Sequence, residues 1–392
     1  MSFLQRVLVA GRVLWFYAAK LLLPIGLTFS YPRWTIDSSA LWQYLYPIGV
    51  VAVAVALLLI ARRTRGPLAS FLIFTGALVP VLGFLNVLPF RYSWVADHFQ
   101  YAASLGLIIP LAAVITTTVR RFYPSSSLGA AGVVVALLGI LTLRQSAEYR
   151  DEETLYRATL ARNPSSWLVH NNLGIVLEGK PGKLTEAIAE FKTVLQLNPV
   201  YGAQAHFNLA DAYAKLDPPE IPEAIAEYRA GLQIEPNYVE AHTNLGTLLA
   251  GMPGHEEEAI AEFQRAVQLR PGMAQSHANL GSALVQSPGR LGEAIAEFET
   301  AVRLDPGIAT LHCNLGNALL EVPGRLPDAV AQFQAALQIE PNFVEAHFLL
   351  GTALAQIPGR TADAAAEYRA ALRLRPDFEP AQQALQQLTA HQ

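Results

Sequence analysis

The stretch HTNLGTLLAGMPGHEEEAIAEFQRAVQLRP, residues 242–271, carries a pattern that the rest of the C-terminal part repeats. Its first block recurs as HNNLG at 170, HFNLA at 206, HANLG at 277, HCNLG at 312 and HFLLG at 347. Its closing proline recurs as Pro199, Pro236, Pro306, Pro341 and Pro376, mostly 35 residues apart. Each unit is predicted to form one helix, a Pro-Gly turn and a second helix that ends at the proline. Stacked units of this kind predict an all-α solenoid.

The unit resembles the tetratricopeptide repeat, in which a small residue in the first helix is followed by Ala and an aromatic residue in the second helix, and then by Pro. In residues 242–271 the corresponding side chains are those of Gly246, Ala259, Phe263, Ala266 and Pro271. The units are about one residue longer than the usual period of about 34. The resemblance implies a superhelix of paired helices.

Composition divides the chain in two. Residues 1–144 hold eleven Lys and Arg against two acids, a net charge of +9, whereas residues 145–392 carry −13. A basic, apolar first part followed by an acidic, periodic second part predicts a membrane domain joined to a water-exposed domain. The predicted domains are a membrane part (1–144), a linker with a degenerate half repeat (145–164), six repeats (165–376) and a polar cap (377–392).

Four runs approach the roughly 20 apolar residues that a membrane-spanning helix needs. They are residues 44–61, 68–86, 100–118 and 127–143. A fifth segment, 7–29, is apolar but contains Arg12 and Lys20, so it could span the membrane, lie at its surface or imitate a signal peptide. The predicted fold is therefore multispan transmembrane helices followed by an α-solenoid.

Loop charges orient the predicted spans. Arg62, Arg63 and Arg65 follow the first run, and Arg120 and Arg121 follow the third. Loops rich in Arg and Lys stay in the cytoplasm. The last run then delivers the repeats to the opposite side, which is the periplasm, the cell exterior or a lumen.

The recurrent histidine allows three interpretations. His242, Leu245, Gly246 and Leu249 share one helix face, which favours a packing role between helices. A pH switch is the second interpretation, because imidazole titrates near neutral pH. A metal site is not favoured, because each repeat offers one His without a second ligand at helical spacing.

The Asn two residues after each His points to another face of the helix. The set comprises Asn172, Asn208, Asn244, Asn279 and Asn314, and the last unit has Leu349 instead. An amide both donates and accepts, so a spaced row could pair with the backbone of an extended peptide. The alternative is that these amides hold neighbouring helices. The row is similar to the asparagine-lined repeats of O-GlcNAc transferases, a resemblance that implies peptide contact.

The loop FRYSWVADHFQY, residues 90–101, places Arg91, Asp97 and His98 on the same side as the repeats. It is either an interfacial loop with an aromatic belt or a site for a headgroup or sugar phosphate, with Arg91 as the anion contact.

Several chemistries are excluded by pattern. The lone Cys313 excludes an intrachain disulfide and a thiolate cluster. His255 and Glu256 begin like a zinc-protease motif, but Ala259 stands where the second His is needed. The repeats are acidic and lack a basic stripe, which argues against nucleic acid as a partner. We predict neither a bound metal nor a cofactor.

Repeats after multispan helices, together with FLNVLPFRYSWVADHFQYAASLG at 84–106, resemble the C-terminal part of the transmembrane O-mannosyltransferase family. The resemblance implies a lipid-linked phosphate sugar as donor and a site that faces the lumen or periplasm. The catalytic acidic pair of that family has no counterpart in residues 1–144. Two functions stay open: a membrane-anchored module that binds peptides or proteins, and the C-terminal portion of a protein O-glycosyltransferase.

Overall fold

The computed structural model describes residues 1–22, 27–82, 101–122, 127–199 and 202–390. Within these ranges every regular element is a helix, which confirms the all-α prediction. The chain divides into two compact units, Met1–Lys215 and Leu216–Gln392.

The first unit begins with apolar helices. They are α1 (Phe3–Leu22), α2 (Leu45–Ile60) after a 3-10 turn at Leu41–Tyr44, α3 (Gly66–Leu78) before a second such turn at Val79–Val81, α4 (Tyr101–Phe122) and α5 (Ser127–Glu148). Among the described residues one helical stretch, Leu41–Ile60, is long and apolar enough to cross a membrane. The apolar helical stretches Gly66–Val81 and Ala103–Val119 are shorter. Multiple spans therefore stay a prediction.

Helix α2 has no buried residue, although it is apolar along its whole length. Leu45, Ile48, Val51, Val55 and Leu58 each expose half or more of their surface. A continuous apolar surface of this kind is costly in water and is typical of helices that contact lipid or another protein.

Segment 7–29, which the sequence left open, forms most of α1. Val9, Val13 and Tyr17 are buried in the core of the apolar helices. The Arg12 guanidinium lies 4.3 Å from the centre of the Trp34 ring, so this cation is covered by an aromatic face. Helix α1 is therefore a packed element of the first unit.

The chain after α1 contacts the start of the repeats within the first unit. Asn163 Nδ2 donates to the Ser30 carbonyl at 3.2 Å, and Arg162 Nη1 donates to the Leu27 carbonyl at 3.1 Å. Arg162 also pairs with Glu148 at the end of α5. These bonds join the loop that precedes α2 to the segment just before the first repeat, within the first unit.

The repeats are built from short helices that follow one another along the chain. The first unit ends with α6 (Glu152–Arg162), α7 (Trp167–Glu178), α8 (Leu184–Leu197) and α9 (Gly202–Ala214). The second unit contains α10 (Ile221–Ile234), α11 (Val239–Ala250), α12 (Glu256–Leu269), α13 (Ala274–Val285), α14 (Leu291–Leu304), α15 (Ala309–Leu320), α16 (Leu326–Ile339), α17 (Val344–Ala355), α18 (Thr361–Leu374) and α19 (Glu379–Ala390). The first helices of the second unit's repeats are α11, α13, α15 and α17, and the second helices are α12, α14, α16 and α18.

In α11, α13, α15 and α17 a glycine permits the close approach of the paired second helix. A Cβ on Gly246 would lie 2.9 Å from Cε1 of the Phe263 ring, and one on Gly281 would lie 2.8 Å from Cε1 of Phe298. Atoms at this distance clash, so only glycine fits against the ring. The turn between the paired helices also needs glycine, because Gly254 has a φ of +84°. The NLG block and the Pro-Gly turn together define the pair.

We expect Gly281→Ala to destabilise the protein by about 1–3 kcal/mol, since the added methyl group must displace the Phe298 ring. The matched control is Gly292→Ala in the following helix, where a Cβ would meet nothing within 4 Å. This variant should leave stability unchanged or slightly increased. Urea unfolding of both variants, followed by circular dichroism, measures the difference. Equal stability of the two variants would contradict the packing role of Gly281.

Candidate functional site

The recurrent histidine is bonded at both ring nitrogens. Nδ1 of His242 lies 2.6 Å from Glu262 of the paired second helix, and Nε2 lies 3.1 Å from the carbonyl oxygen of Pro236. His277 has the same two contacts, to Glu297 and to the Pro271 carbonyl. The same arrangement holds His170 and His347. We call this three-part contact the histidine clamp.

The clamp confirms the structural interpretation of the histidine row and goes beyond packing. It joins the turn before the repeat, the first helix and the second helix through one side chain. At the end of the array, where no further second helix follows in the described residues, Gln382 takes the histidine position and donates to the Pro376 carbonyl at 2.7 Å. The described residues contain no group of three or more metal-ligating side chains.

The bonding partners favour a doubly protonated ring. A proline carbonyl only accepts, so Nε2 must carry a hydrogen, and a carboxylate at Nδ1 favours a second one. Burial, the largest influence, lowers the pKa of His242, but the hydrogen bonds to Glu262 and to the Pro236 carbonyl outweigh it and raise that pKa. The pKa of His170 is raised by the same balance. In the repeat of His312 the partner is the neutral Gln332, whose Oε1 lies 2.7 Å from Nδ1.

The first helices of the second unit line a common wall. Helix α11 contacts α13, and α13 contacts α15. On this wall Asn244 and Asn314 are exposed and Asn279 is partly exposed. One turn further along each helix lie Thr247, Ser282 and Asn317, all exposed. We call these six side chains the amide wall.

The predicted amides of the first unit are engaged inside the protein. Asn208 is 9% exposed, accepts from Gln204 at 2.9 Å and donates to Asn171 at 3.1 Å. Asn172 is half-buried and hydrogen-bonds Tyr156. The interpretation of these residues as helix contacts therefore has support in the first unit, where Asn171 was a partner that the sequence analysis missed.

Of the candidate residues near the predicted membrane, some lie within the described residues and others do not. Arg91, Asp97 and His98 lie outside the described residues. Asp37 is exposed and accepts from the hydroxyl and the backbone N–H of Ser39, which lowers its pKa. That carboxylate acts as a turn cap, which is an ordinary structural role.

The single cysteine is enclosed by the repeats. Cys313 is 5% exposed, and burial raises the pKa of its thiol to about 11. A buried, protonated thiol reacts slowly, so Cys313 is neither a nucleophile nor a site for labelling reagents.

Comparison with protein families agrees with the helix pairs. A model described as tetratricopeptide repeat matches residues 138–201 and 254–309, and one described as TPR repeat matches residues 220–252 and 324–357. The chain therefore carries tetratricopeptide repeats, as predicted. The first match begins inside α5 and includes α6.

Curated relatives are protein O-mannosyl-transferases. The chain is 25% identical to F38B6.6 of Caenorhabditis elegans over 192 residues, which is 48% of this chain and 27% of that protein. It is 30% identical to Tmtc2 of Drosophila melanogaster over 132 residues, which is 33% of this chain and 14% of that protein. The alignments thus cover a minor part of each relative.

Solved structures with similar coordinates include two repeat proteins. The TPR protein YrrB, described with an unusual peptide-binding site, aligns over 50% of this chain and 96% of its own at 21% identity and a TM-score of 0.41. PilF of Pseudomonas aeruginosa aligns over 59% of this chain and all of its own at 21% identity and a TM-score of 0.47.

We expect the histidine clamp to make stability depend on pH. Because the folded-state pKa of His170 and His242 is raised, their contribution is complete below the unfolded value of about 6.5 and is lost as the pH rises through the folded value. The midpoint temperature of thermal unfolding should therefore decrease as the pH is raised from 6 to 8.5. The variant Glu190→Gln/Glu262→Gln should lose most of this dependence, as scanning fluorimetry would measure. An unchanged slope in that variant would contradict the role of the two carboxylates.

Proposed function

We propose that this chain is a membrane-anchored repeat module that holds extended segments of polypeptide on the extracytoplasmic side. The observation that carries the proposal is the amide wall, where exposed or partly exposed Asn, Ser and Thr side chains recur at one place on the first helices α11, α13 and α15. Asn244, Asn279 and Asn314 are the predicted residues that belong to it. Amides donate and accept, so they can bind a peptide backbone whatever its side chains are.

Repeat spacing suits an extended chain. Packed helices lie about 8–10 Å apart, and an extended chain advances about 3.3 Å per residue. One repeat therefore corresponds to about three residues of ligand, and α11, α13 and α15 together to about nine. Asn208 in the first unit would contribute less, since it is buried and both the oxygen and the nitrogen of its amide bond to protein groups. Asn172 hydrogen-bonds Tyr156.

Membrane attachment is supported by the apolar helices and their charges. Helix α2 exposes aliphatic side chains over its whole length, as a lipid-facing helix does. Arg62, Arg63 and Arg65 follow it directly and favour a cytoplasmic loop at that end. The repeats follow α5, which would then deliver them to the opposite side.

A second candidate function is favoured by the curated relatives. The chain could be the C-terminal portion of a protein O-glycosyltransferase that uses a lipid-linked phosphate sugar. Arg91, Asp97 and His98 would then contact the donor, while the amide wall presents the acceptor polypeptide. Residues 1–144 contain two acids, Asp37 and Asp97, so this reading requires further carboxylates from elsewhere.

We expect the purified protein in detergent to bind a fluorescein-labelled, reduced and carbamidomethylated polypeptide that cannot refold. Asn279→Ala/Asn314→Ala should weaken this binding about tenfold or more, because two neutral hydrogen bonds are lost. Fluorescence anisotropy measures the dissociation constants. The matched control is Gln264→Ala/Gln334→Ala, which removes two exposed amides from second helices. If both double variants weaken polypeptide binding equally, binding at the amide wall is contradicted.

The enzymatic alternative is tested at Asp97. Membranes that contain the chain are incubated with a lipid-linked phosphate mannose and an acceptor peptide, and transferred sugar is measured by mass. If the chain is part of a transferase, Asp97→Asn should abolish transfer and leave polypeptide binding intact. If the unaltered protein transfers no sugar, the enzymatic alternative is contradicted and only the binding function is kept.

A further inference from the structure

The amide wall presents hydrogen-bonding groups of fixed polarity. Ser282 Oγ donates its hydrogen to the Ala278 carbonyl at 2.9 Å, and Thr247 Oγ1 donates to the Thr243 carbonyl at 2.9 Å. With the hydrogen bonded inside the helix, each hydroxyl offers a ligand only its lone pairs. The hydroxyls of the wall are therefore acceptors, suited to a backbone N–H.

The neighbouring amide has the opposite polarity. Gln275 Nε2 donates to Asn279 Oδ1 at 2.7 Å, which leaves the Nδ2 hydrogens of Asn279 for a ligand carbonyl. Asn279 and Ser282 lie three residues apart on α13, so they are neighbours on one face. A donor beside an acceptor is the arrangement that a peptide unit requires, since it presents one C=O and one N–H.

Helices α11, α13 and α15 carry no charge beyond their first turn, although the second unit is strongly acidic. Residues 216–392 carry twenty-two Asp and Glu against ten Arg, a net charge of −12. Yet residues 241–254, 271–289 and 306–320 contain no Asp, Glu, Lys or Arg. The charge of the second unit therefore lies mainly on the second helices, in the turns and in the first turns of α11 and α17, where Glu240 and Glu345 stand.

The acidic groups in the first turns of α11 and α17 are paired, and Glu345 of α17 pairs with Arg375. Glu240, at the start of α11, accepts from Arg270 Nη1 at 3.0 Å. A charged ligand side chain that entered the wall would lose hydration and find no opposite charge to compensate. A neutral side chain would avoid this cost.

From these observations we infer that the amide wall selects uncharged extended polypeptide, read through its backbone by alternating amide donors and hydroxyl acceptors. The inference rests on the proposed binding of extended segments and adds the chemical class of the ligand. It also predicts that affinity is independent of ionic strength, because no ion pair forms on binding.

The test uses the full chain in detergent and three fluorescein-labelled peptides of twelve residues. One contains only Ala, Thr, Ser and Gln, a second has Lys at two central positions, and a third has Glu at the same two positions. Anisotropy titrations at 50 and 500 mM NaCl give the dissociation constants. We expect the uncharged peptide to bind most tightly, with less than about a twofold change between the two salt concentrations.

Variants locate the effect on the wall. Ser282→Ala should weaken binding of the uncharged peptide about fivefold, the loss of one neutral hydrogen bond. Thr300→Val is the matched control, since the Thr300 hydroxyl donates to its own helix in the same way but lies on a second helix. Backbone N-methylation of the peptide at central residues should weaken binding at least as much as Ser282→Ala.

The outcomes distinguish the proposed binding of polypeptide from the inferred selection of uncharged polypeptide. Tighter binding of a charged peptide, or a large loss of affinity at 500 mM NaCl, would overturn the inference while keeping peptide binding. If none of the three peptides binds, and the unfolded polypeptide does not bind either, the proposed function fails and the inference fails with it. If the unfolded polypeptide binds and the uncharged peptide does not, the inference alone is overturned.

Discussion

In repeat after repeat, one imidazole ring connects three parts of the chain. Its Nε2 bonds to the proline carbonyl that ends the preceding segment, and its Nδ1 bonds to a residue of the second helix, as His242 does with Pro236 and Glu262. Because both bonds are directional, the first helix can neither rotate nor slide against its neighbours without losing one. The glycine against the aromatic ring sets how close the two helices lie, and the clamp sets their register.

The fixed register has a consequence for the opposite face of each first helix. When successive first helices have the same rotation, residues at one sequence position recur on the same face, as Asn244, Asn279 and Asn314 do in the second unit. Charges are distributed accordingly. Arg229 pairs with Glu258 and Arg290 with Glu293 on the second helices and turns, whereas α11, α13 and α15 are neutral beyond their first turn. The acidic charge keeps the array soluble while the wall is left to neutral hydrogen bonding.

Much of this architecture could be predicted from the sequence, because it depends on local patterns. The 35-residue spacing, the Gly of the NLG block and the closing proline each act within one helix pair. The histidine face was predicted by helical periodicity alone. Its partners could not be named in advance, since Glu262 lies twenty residues away on another helix.

Contacts that depend on a neighbouring helix escaped prediction. Nothing local to Asn208 indicates that Asn171 of another helix binds its amide, so the first unit's asparagines were assigned to ligand contact. Likewise, the sequence does not indicate that the Thr247 and Ser282 hydroxyls donate their hydrogens within their own helices. Binding of polypeptide along the first helices is tested most directly by photo-cross-linking. The photoreactive residue p-benzoylphenylalanine replaces Asn317 in one variant and Gln334 in another, and each variant is irradiated with a biotinylated uncharged peptide. We predict a cross-link from position 317 of the amide wall and little from position 334 on the second helix. Equal cross-linking at both positions, or a stronger signal at 334, would contradict binding along the first helices.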